Sequence, residues 1–227
     1  MPVSVGIVDS GAAPAVRQKL SVETRLLQRE DGSVERTAAS DDRLGHGSEI
    51  ARIILDLAPA ASLVSAQAFT DCRTVDAGLV AESIHWCLEQ GVRIINLSLG
   101  IRADRAALRD ACELARASGV LLVAAFPARG DAVYPAAYPG VLAVSGDARC
   151  DARHWSVIEA GRLIGAATVA ADGESHGGAS YAVARISGFA ARFFSAWPNA
   201  DVRDCRAWLE SDATFRGRER RTTSRAA

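Results

Sequence analysis

The hydrophobic positions of this chain fall into two kinds of segment that alternate along it. Apolar-rich runs with a strand pattern cover residues 3–8, 61–69, 92–100 and 120–125. Between them, apolar residues recur at helical spacing after Gly47, over residues 74–90 and over residues 104–118. This alternation predicts an α/β fold in which helices cover both faces of a mainly parallel sheet.

The pattern is looser at both ends of the chain. Short strands are predicted at 141–144, 154–159 and 163–170, and helices from about residue 179 to 197 and over 201–209. Near the N-terminus, residues 12–44 are polar and weakly patterned, with a turn at 30–33 and a surface loop at 38–42. We predict a single domain over residues 1–212. Residues 213–227 carry five arginines and one acid, and are predicted to form a basic, disordered tail.

Composition narrows the class of protein. A chain of 227 residues with 49% hydrophobic content can bury one sizeable core, and a net charge of −1 does not favour nucleic acid as a partner. The five scattered cysteines have no C-x-x-C spacing, which indicates free thiols and no zinc site. The first residues lack a signal-peptide pattern, and no apolar run is long enough for a membrane span. We therefore expect a cytoplasmic protein without metal or cofactor and without a membrane partner; its oligomeric state stays open.

Three polar residues stand beside glycines at the predicted ends of elements. Asp9 ends the first strand, His46 opens a helix between Gly45 and Gly47, and Ser180 opens the alanine-rich helix. Taken singly, Asp9 and His46 have ordinary explanations: an aspartate that caps the next turn and a structural or surface histidine. Together, they match a nucleophile, the base that removes its proton and the carboxylate that orients the base.

Five blocks of sequence, taken in order, resemble the subtilisin-like serine proteases. Residues 5–11 (VGIVDSG) resemble that family's aspartate motif, 45–48 (GHGS) its G-H-G-T, and 95–100 (INLSLG) its substrate-pairing strand. Residues 134–139 (YPAAYP) with the strand after them, and 178–182 (GASYA), resemble the last two blocks, the second of which surrounds the nucleophile. The resemblance covers roughly residues 3–210 and implies a subtilisin-like three-layer fold.

The resemblance also implies roles for individual residues. Ser180 would be the nucleophile, His46 the general acid and base, and Asp9 the orienting carboxylate. It further implies a peptide or protein substrate that is held as an added strand.

The same resemblance implies where the substrate binds. Ser98, Leu99 and Gly100 would pair with the backbone of the substrate, and Ala125 and Phe126 would form the wall of the pocket beside the cleaved bond.

Two departures from the family pattern bear on activity. The asparagine that donates a hydrogen bond to the oxyanion is replaced by Ala128 or a neighbour, and His176 is a weaker candidate for this donor. Around the nucleophile, Ala179 replaces a threonine and Tyr181 a methionine.

Two functional hypotheses follow. The first is a serine endopeptidase, slow because it lacks one oxyanion donor and therefore suited to processing a dedicated precursor or leader peptide. The alternative is a pseudoprotease, catalytically weak or inactive, that binds peptides. A weaker third possibility is esterase chemistry by the same three residues, because activated esters need less help at the oxyanion.

Overall fold

A computed structural model of the chain describes residues 2–69, 76–172 and 178–219. Cys72, the start of the predicted helix over 74–90 and the candidate donor His176 lie outside these ranges. The strands are β1 (Ser4–Asp9), β2 (Leu20–Gln28), β3 (Val34–Thr37), β4 (Ser62–Gln67), β5 (Ile94–Leu97), β6 (Leu121–Ala125), β7 (Leu142–Gly146), β8 (Trp155–Glu159), β9 (Leu163–Ala166) and β10 (Phe215–Arg216). The helices are α1 (Pro14–Arg17), α2 (His46–Leu57), α3 (Ala77–Glu89), α4 (Ala106–Ala117), α5 (Ala179–Ala196) and α6 (Val202–Ser211).

The strands described here form one sheet in the order β10-β8-β9-β7-β6-β5-β1-β4-β2-β3. Neighbouring strands are parallel except for the pairs β2–β3 and β8–β9. In a parallel sheet the carboxyl ends of adjacent strands meet at one edge, where ligands bind in α/β proteins. Residues 9, 67, 97 and 125, which end β1, β4, β5 and β6, therefore lie along the same edge.

The helices cover both faces of the sheet, as the sequence pattern predicts. Buried residues of α2, α5 and α6 form one hydrophobic core with one face of the sheet, and those of α3 and α4 form a second core with the other face. The central strands are apolar on both sides because neither face meets water. The predicted α/β class with a mainly parallel central sheet is confirmed.

The weakly patterned segment over residues 12–44 holds two strands that its sequence does not predict. The strands β2 and β3 form an antiparallel hairpin at one edge of the sheet, and the predicted turn at residues 30–33 connects them. In β2 only Thr24 and Leu26 are buried, so the strand shows little of the apolar signal that marks the central strands. β2 pairs with β4 on one side and with the edge strand β3 on the other, through backbone hydrogen bonds that any non-proline residue can make.

The predicted tail boundary at residue 213 is wrong. The short strand β10 pairs with the outer edge of β8, and Gly217 N donates to Val157 O at 2.8 Å. The guanidinium of Arg149 lies 5.4 Å from the centre of the Phe215 ring and anchors this strand further. The free backbone groups at the edge of β8 explain why a segment without hydrophobic pattern becomes ordered there. The structure describes the chain up to residue 219 only.

Two further findings concern the described residues. Cys87, Cys112, Cys150 and Cys205 are buried free thiols, as the scattered spacing predicts. In the part of the chain that the structure covers, no helix combines the length and the apolar character needed to cross a bilayer.

Candidate active site

Asp9 and His46 meet at the carboxyl end of β1. Asp9 is fully buried, and its Oδ1 lies 2.7 Å from His46 Nδ1 and also accepts a hydrogen bond from Ser10 N at 2.8 Å. A carboxylate bonded to Nδ1 fixes the orientation of the ring and stabilises its charged form. The structure therefore brings together two of the three residues that the sequence singles out.

The glycines beside His46 have separate structural reasons. Gly45, the residue before α2, has φ of 69°, a left-handed conformation that favours glycine. Gly47 lies against the turn after β1, where a Cβ would be 2.3 Å from Gly11 O and 3.3 Å from Asp9 Cβ. The absence of a side chain at Gly47 is what allows α2 to begin this close to Asp9.

Ser180 is the second residue of α5 and lies against the end of β5. Its Oγ donates a hydrogen bond to Ser98 O at 3.1 Å, and Ser98 Oγ lies 3.2 Å from Ser180 O. Asn96 Oδ1 accepts from Ser98 Oγ at 2.8 Å, and Asn96 Nδ2 donates to Ser187 Oγ, in the middle of α5, at 3.1 Å. This polar network fixes the start of α5 against the predicted substrate strand.

A tyrosine connects the Ser180 helix with the histidine. The ring of Tyr181 stacks on that of His46, with 6.2 Å between centroids and 27° between planes. Both rings line a small cavity of about 170 Å³ that Glu49 and Asp172 also border. The three residues of the predicted triad thus lie in one region of the structure. Ser180 directly precedes Tyr181, whose ring stacks on that of His46.

The predicted substrate strand leaves the sheet at Leu97. Ser98 and Leu99 are buried and Gly100 is exposed. The next residue forms an isolated antiparallel bridge, in which Ile101 N donates to Tyr134 O at 2.7 Å and Ile101 O accepts from Tyr134 N at 2.8 Å. Residues 98–100 therefore lie outside the ladder of named strands, with Ser98 hydrogen-bonded to Ser180.

The predicted pocket wall borders a much larger cavity. Phe126 and Pro127, which follow Ala125 at the end of β6, line a space of about 1010 Å³ together with Arg162. The Arg162 guanidinium lies 5.8 Å from the centre of the Phe126 ring. None of the three triad residues lines this cavity.

The residues after β6 offer no side-chain amide for an oxyanion. The chain contains neither asparagine nor glutamine between Asn96 and Asn199. The backbone N–H groups at the start of α5 remain as donors, because the first turn of a helix has no internal acceptors for them. Among residues 2–69, 76–172 and 178–219, no group of three or more His, Cys, Asp or Glu side chains is placed to hold a metal ion.

One residue of the site is missed by sequence reasoning. Asp42, predicted as part of a surface loop, is half-buried, and its carboxylate accepts hydrogen bonds from the turn that carries His46. The available signal was an aspartate shortly before a predicted helix start, a common arrangement at helix N-termini.

Known proteins are similar to this chain in sequence. Subtilisin DY from Bacillus licheniformis is 28% identical over 238 residues, a match that covers 95% of this chain and 85% of that protein. The minor extracellular protease Epr from Bacillus subtilis (strain 168) is 32% identical over 155 residues, which cover 63% of this chain and 23% of Epr. The chain thus spans about a quarter of Epr and most of subtilisin DY.

Solved structures show the same fold. A cold-adapted subtilisin-like serine proteinase superposes with a TM-score of 0.71 at 20% identity and covers 92% of this chain and 81% of its own. The prenylagaramide maturation protease PagA superposes with a TM-score of 0.67 at 23% identity, covering 91% and 81%. At such identities, the likeness concerns the fold alone. The sequence pattern of the subtilase family matches residues 2–226. The chain therefore belongs to the subtilase family, the family of subtilisin-like serine proteases.

Proposed function

We propose that this chain is a serine endopeptidase whose triad is Asp9, His46 and Ser180. The observation that carries the proposal is the buried contact of 2.7 Å between Asp9 Oδ1 and His46 Nδ1, at the edge of the sheet where α5 presents Ser180. A carboxylate in this position makes the imidazole a better acceptor for the hydroxyl proton of a serine.

The hydroxyl of Ser180 has to turn before it can react. It carries one proton, and that proton is directed to Ser98 O. A substrate that pairs with residues 98–100 brings a backbone N–H to this strand, and an N–H bonded to Ser98 O would displace the Ser180 hydroxyl. Substrate binding would thereby release Ser180 to donate to His46.

The chemistry then follows in two steps. Ser180 Oγ attacks the carbonyl carbon while His46 takes its proton, and Asp9 stabilises the resulting imidazolium. His46 returns the proton to the leaving amine, and water later hydrolyses the acyl-enzyme by the same route in reverse. The Ser180 N–H, at the positive end of α5, donates to the oxyanion.

The missing amide limits the rate. In subtilisin, loss of the asparagine donor costs about 10²–10³ in kcat. A slow protease suits a dedicated substrate better than general degradation, and the fold likeness to a protein described as a maturation protease agrees with this. We propose a peptide substrate of the precursor or leader kind.

A peptide-binding pseudoprotease is the second candidate. It is favoured by one observation, the Ser180 hydroxyl directed at Ser98 O. In that case the hydroxyl would stay on Ser98 when a peptide binds, and Ser180 would never be activated.

Labelling with a fluorophosphonate probe separates the two candidates. The probe should label the wild type and should not label the Ser180→Ala variant. Ser195→Ala is the matched control, because Ser195 lies on the same helix and its hydroxyl donates only to Ala191 O. Labelling of the wild type and S195A but not S180A would support the protease. No labelling of a well-folded wild type would overturn it and leave the binding module.

A further inference from the structure

The carboxylate of Asp42 lies at the centre of the loop that presents the catalytic histidine. Its Oδ1 accepts from Gly45 N at 2.9 Å and from Leu44 N at 3.2 Å, and its Oδ2 accepts from Ser48 N at 2.8 Å and Ser48 Oγ at 2.6 Å. These donors lie on both sides of His46. One carboxylate thus holds the residues that flank the imidazole in sequence.

The Ser48 bond replaces an ordinary helix cap. The residue before α2 is Gly45, which has no side chain to accept from the first turn of the helix. Asp42 reaches across the turn and accepts from the N–H of the third residue of α2, the position that a capping side chain would serve. Its negative charge also lies at the positive end of the helix dipole.

Asp42 is also linked to Asp9, through the side chain of Ser10. Ser10 Oγ lies 2.8 Å from Asp42 Oδ1 and 3.2 Å from Asp9 Oδ1, and it accepts from Gly47 N at 2.9 Å. The shorter distance directs the hydroxyl proton to Asp42. Through Ser10, Asp42 therefore fixes the turn after β1 against the start of α2.

The hydrogen-bond partners of Asp42 indicate that it sets the position of the residues around His46. Every hydrogen bond that it makes in the described part of the chain comes from a backbone N–H or a serine hydroxyl, and no ion pair with arginine or lysine is seen there. The neighbouring Asp41 differs, since it is exposed and pairs with Arg17 at 2.8 Å. Asp42 is thus bonded to the turn that carries His46, whereas Asp41 is bonded to an arginine at the protein surface.

We infer that Asp42 is a positioning residue that fixes the His46 ring relative to Asp9 and Ser180. The inference rests on the proposed protease function and adds a residue to it. The hydrogen bonds of Asp42 seen among the described residues go to Ser10, Leu44, Gly45 and Ser48, so its effect on the Asp9–His46 pair is transmitted through these residues.

The expected effect is a loss of turnover without a loss of substrate binding. A misplacement of about 1 Å costs on the order of 10²-fold in rate. For Asp42→Ala we expect kcat per active site to fall 10- to 100-fold and KM to stay within about twofold. Asp42→Asn keeps one acceptor oxygen but turns a donor toward the remaining donors, and we expect an intermediate loss.

The test compares the wild type, D42A, D42N and the matched control D41N. Active sites are counted by labelling with the fluorophosphonate probe. The rate of peptide cleavage is then measured, and kcat is expressed per counted active site, together with KM. A merely structural cap would lower the number of active sites and the melting temperature, but not kcat per counted site. If D42A does not fold, D42N decides on the same measurement.

The outcomes separate this inference from the proposed function. A lower kcat per counted site in D42A or D42N, with D41N within twofold of the wild type, supports it. Unchanged kcat per counted site in the Asp42 variants overturns it while the protease stands. A wild type that neither reacts with the probe nor cleaves peptide overturns both.

Discussion

Replacement of Gly47 by alanine should reduce activity strongly, although helix propensity predicts a benefit. Alanine is favoured over glycine in helices by about 1 kcal/mol. At Gly47, however, the new Cβ would lie 2.3 Å from Gly11 O, well below an ordinary carbon–oxygen contact of roughly 3.3 Å. The start of α2 would therefore have to move by about 1 Å away from the turn after β1.

This displacement acts directly on the Asp9–His46 contact. A bond of 2.7 Å lengthened by most of that shift would approach the distance at which a hydrogen bond is lost, roughly 3.6 Å. We expect kcat/KM to fall on the order of 10²-fold. Overpacking costs about 1–3 kcal/mol, which outweighs the propensity gain and leaves the variant less stable by about 1 kcal/mol.

The assay measures kcat/KM per titrated active site together with urea unfolding. Gly45→Ala is the control: its Cβ would meet no atom within 4 Å, but its φ of 69° strains alanine by about 1–2 kcal/mol. G45A should be less stable than the wild type but keep its activity per site within about threefold. The reason is that this substitution should displace the start of α2 by far less than about 1 Å. The reasoning is refuted if G47A keeps more than a third of wild-type activity per site, or if it is more stable than the wild type.

Two further predictions concern groups outside the site. Burial alone would raise the pKa of Asp147, but hydrogen bonds from Arg149 and Ser156 hold this pKa below its ordinary value. Such a group stabilises the fold above its unfolded-state pKa, about 3.9, and loses that contribution as the pH falls through the lower folded pKa. Arg149→Met should cost about 3 kcal/mol at pH 7, and the difference from the wild type should shrink below about pH 4; urea unfolding at both pH values checks this, and a constant difference would contradict it. Complete burial raises the pKa of the Cys87 thiol to about 12. Cys87 should therefore resist iodoacetamide at pH 8 in the folded protein and react once urea unfolds it, as peptide mass mapping would show; rapid alkylation of the native protein would count against this burial.

The sequence predicts the central part of the fold well because its signal is local. Strands such as β5 and β6 are buried on both faces and mostly apolar, and α4 and α5 have regular helical spacing, so each element can be recognised without its neighbours. Asp9, His46 and Ser180 were recognisable because each lies in a short motif at the end of such an element. The structure places Asp9 and His46 in contact, and Tyr181, the residue after Ser180, stacks on His46.

The edges of the sheet were not predictable in the same way. The hairpin of β2 and β3 and the short β10 are polar and half-exposed, and they are held by backbone groups that carry no sequence signal. The predicted tail boundary at residue 213 failed for this reason.

The sequence by itself determined the order of the central strands and helices, the family and the three residues of the proposed triad, because motif spacing and hydrophobic period are properties of neighbouring residues. Tertiary structure alone decided the role of Asp42, the close approach at Gly47 and the direction of the Ser180 hydroxyl. Each of these depends on partners brought together from separate segments: the turn after β1 with the start of α2, and the end of β5 with the start of α5. Distances between such segments are set by packing across the sheet, and no local pattern in the chain encodes them.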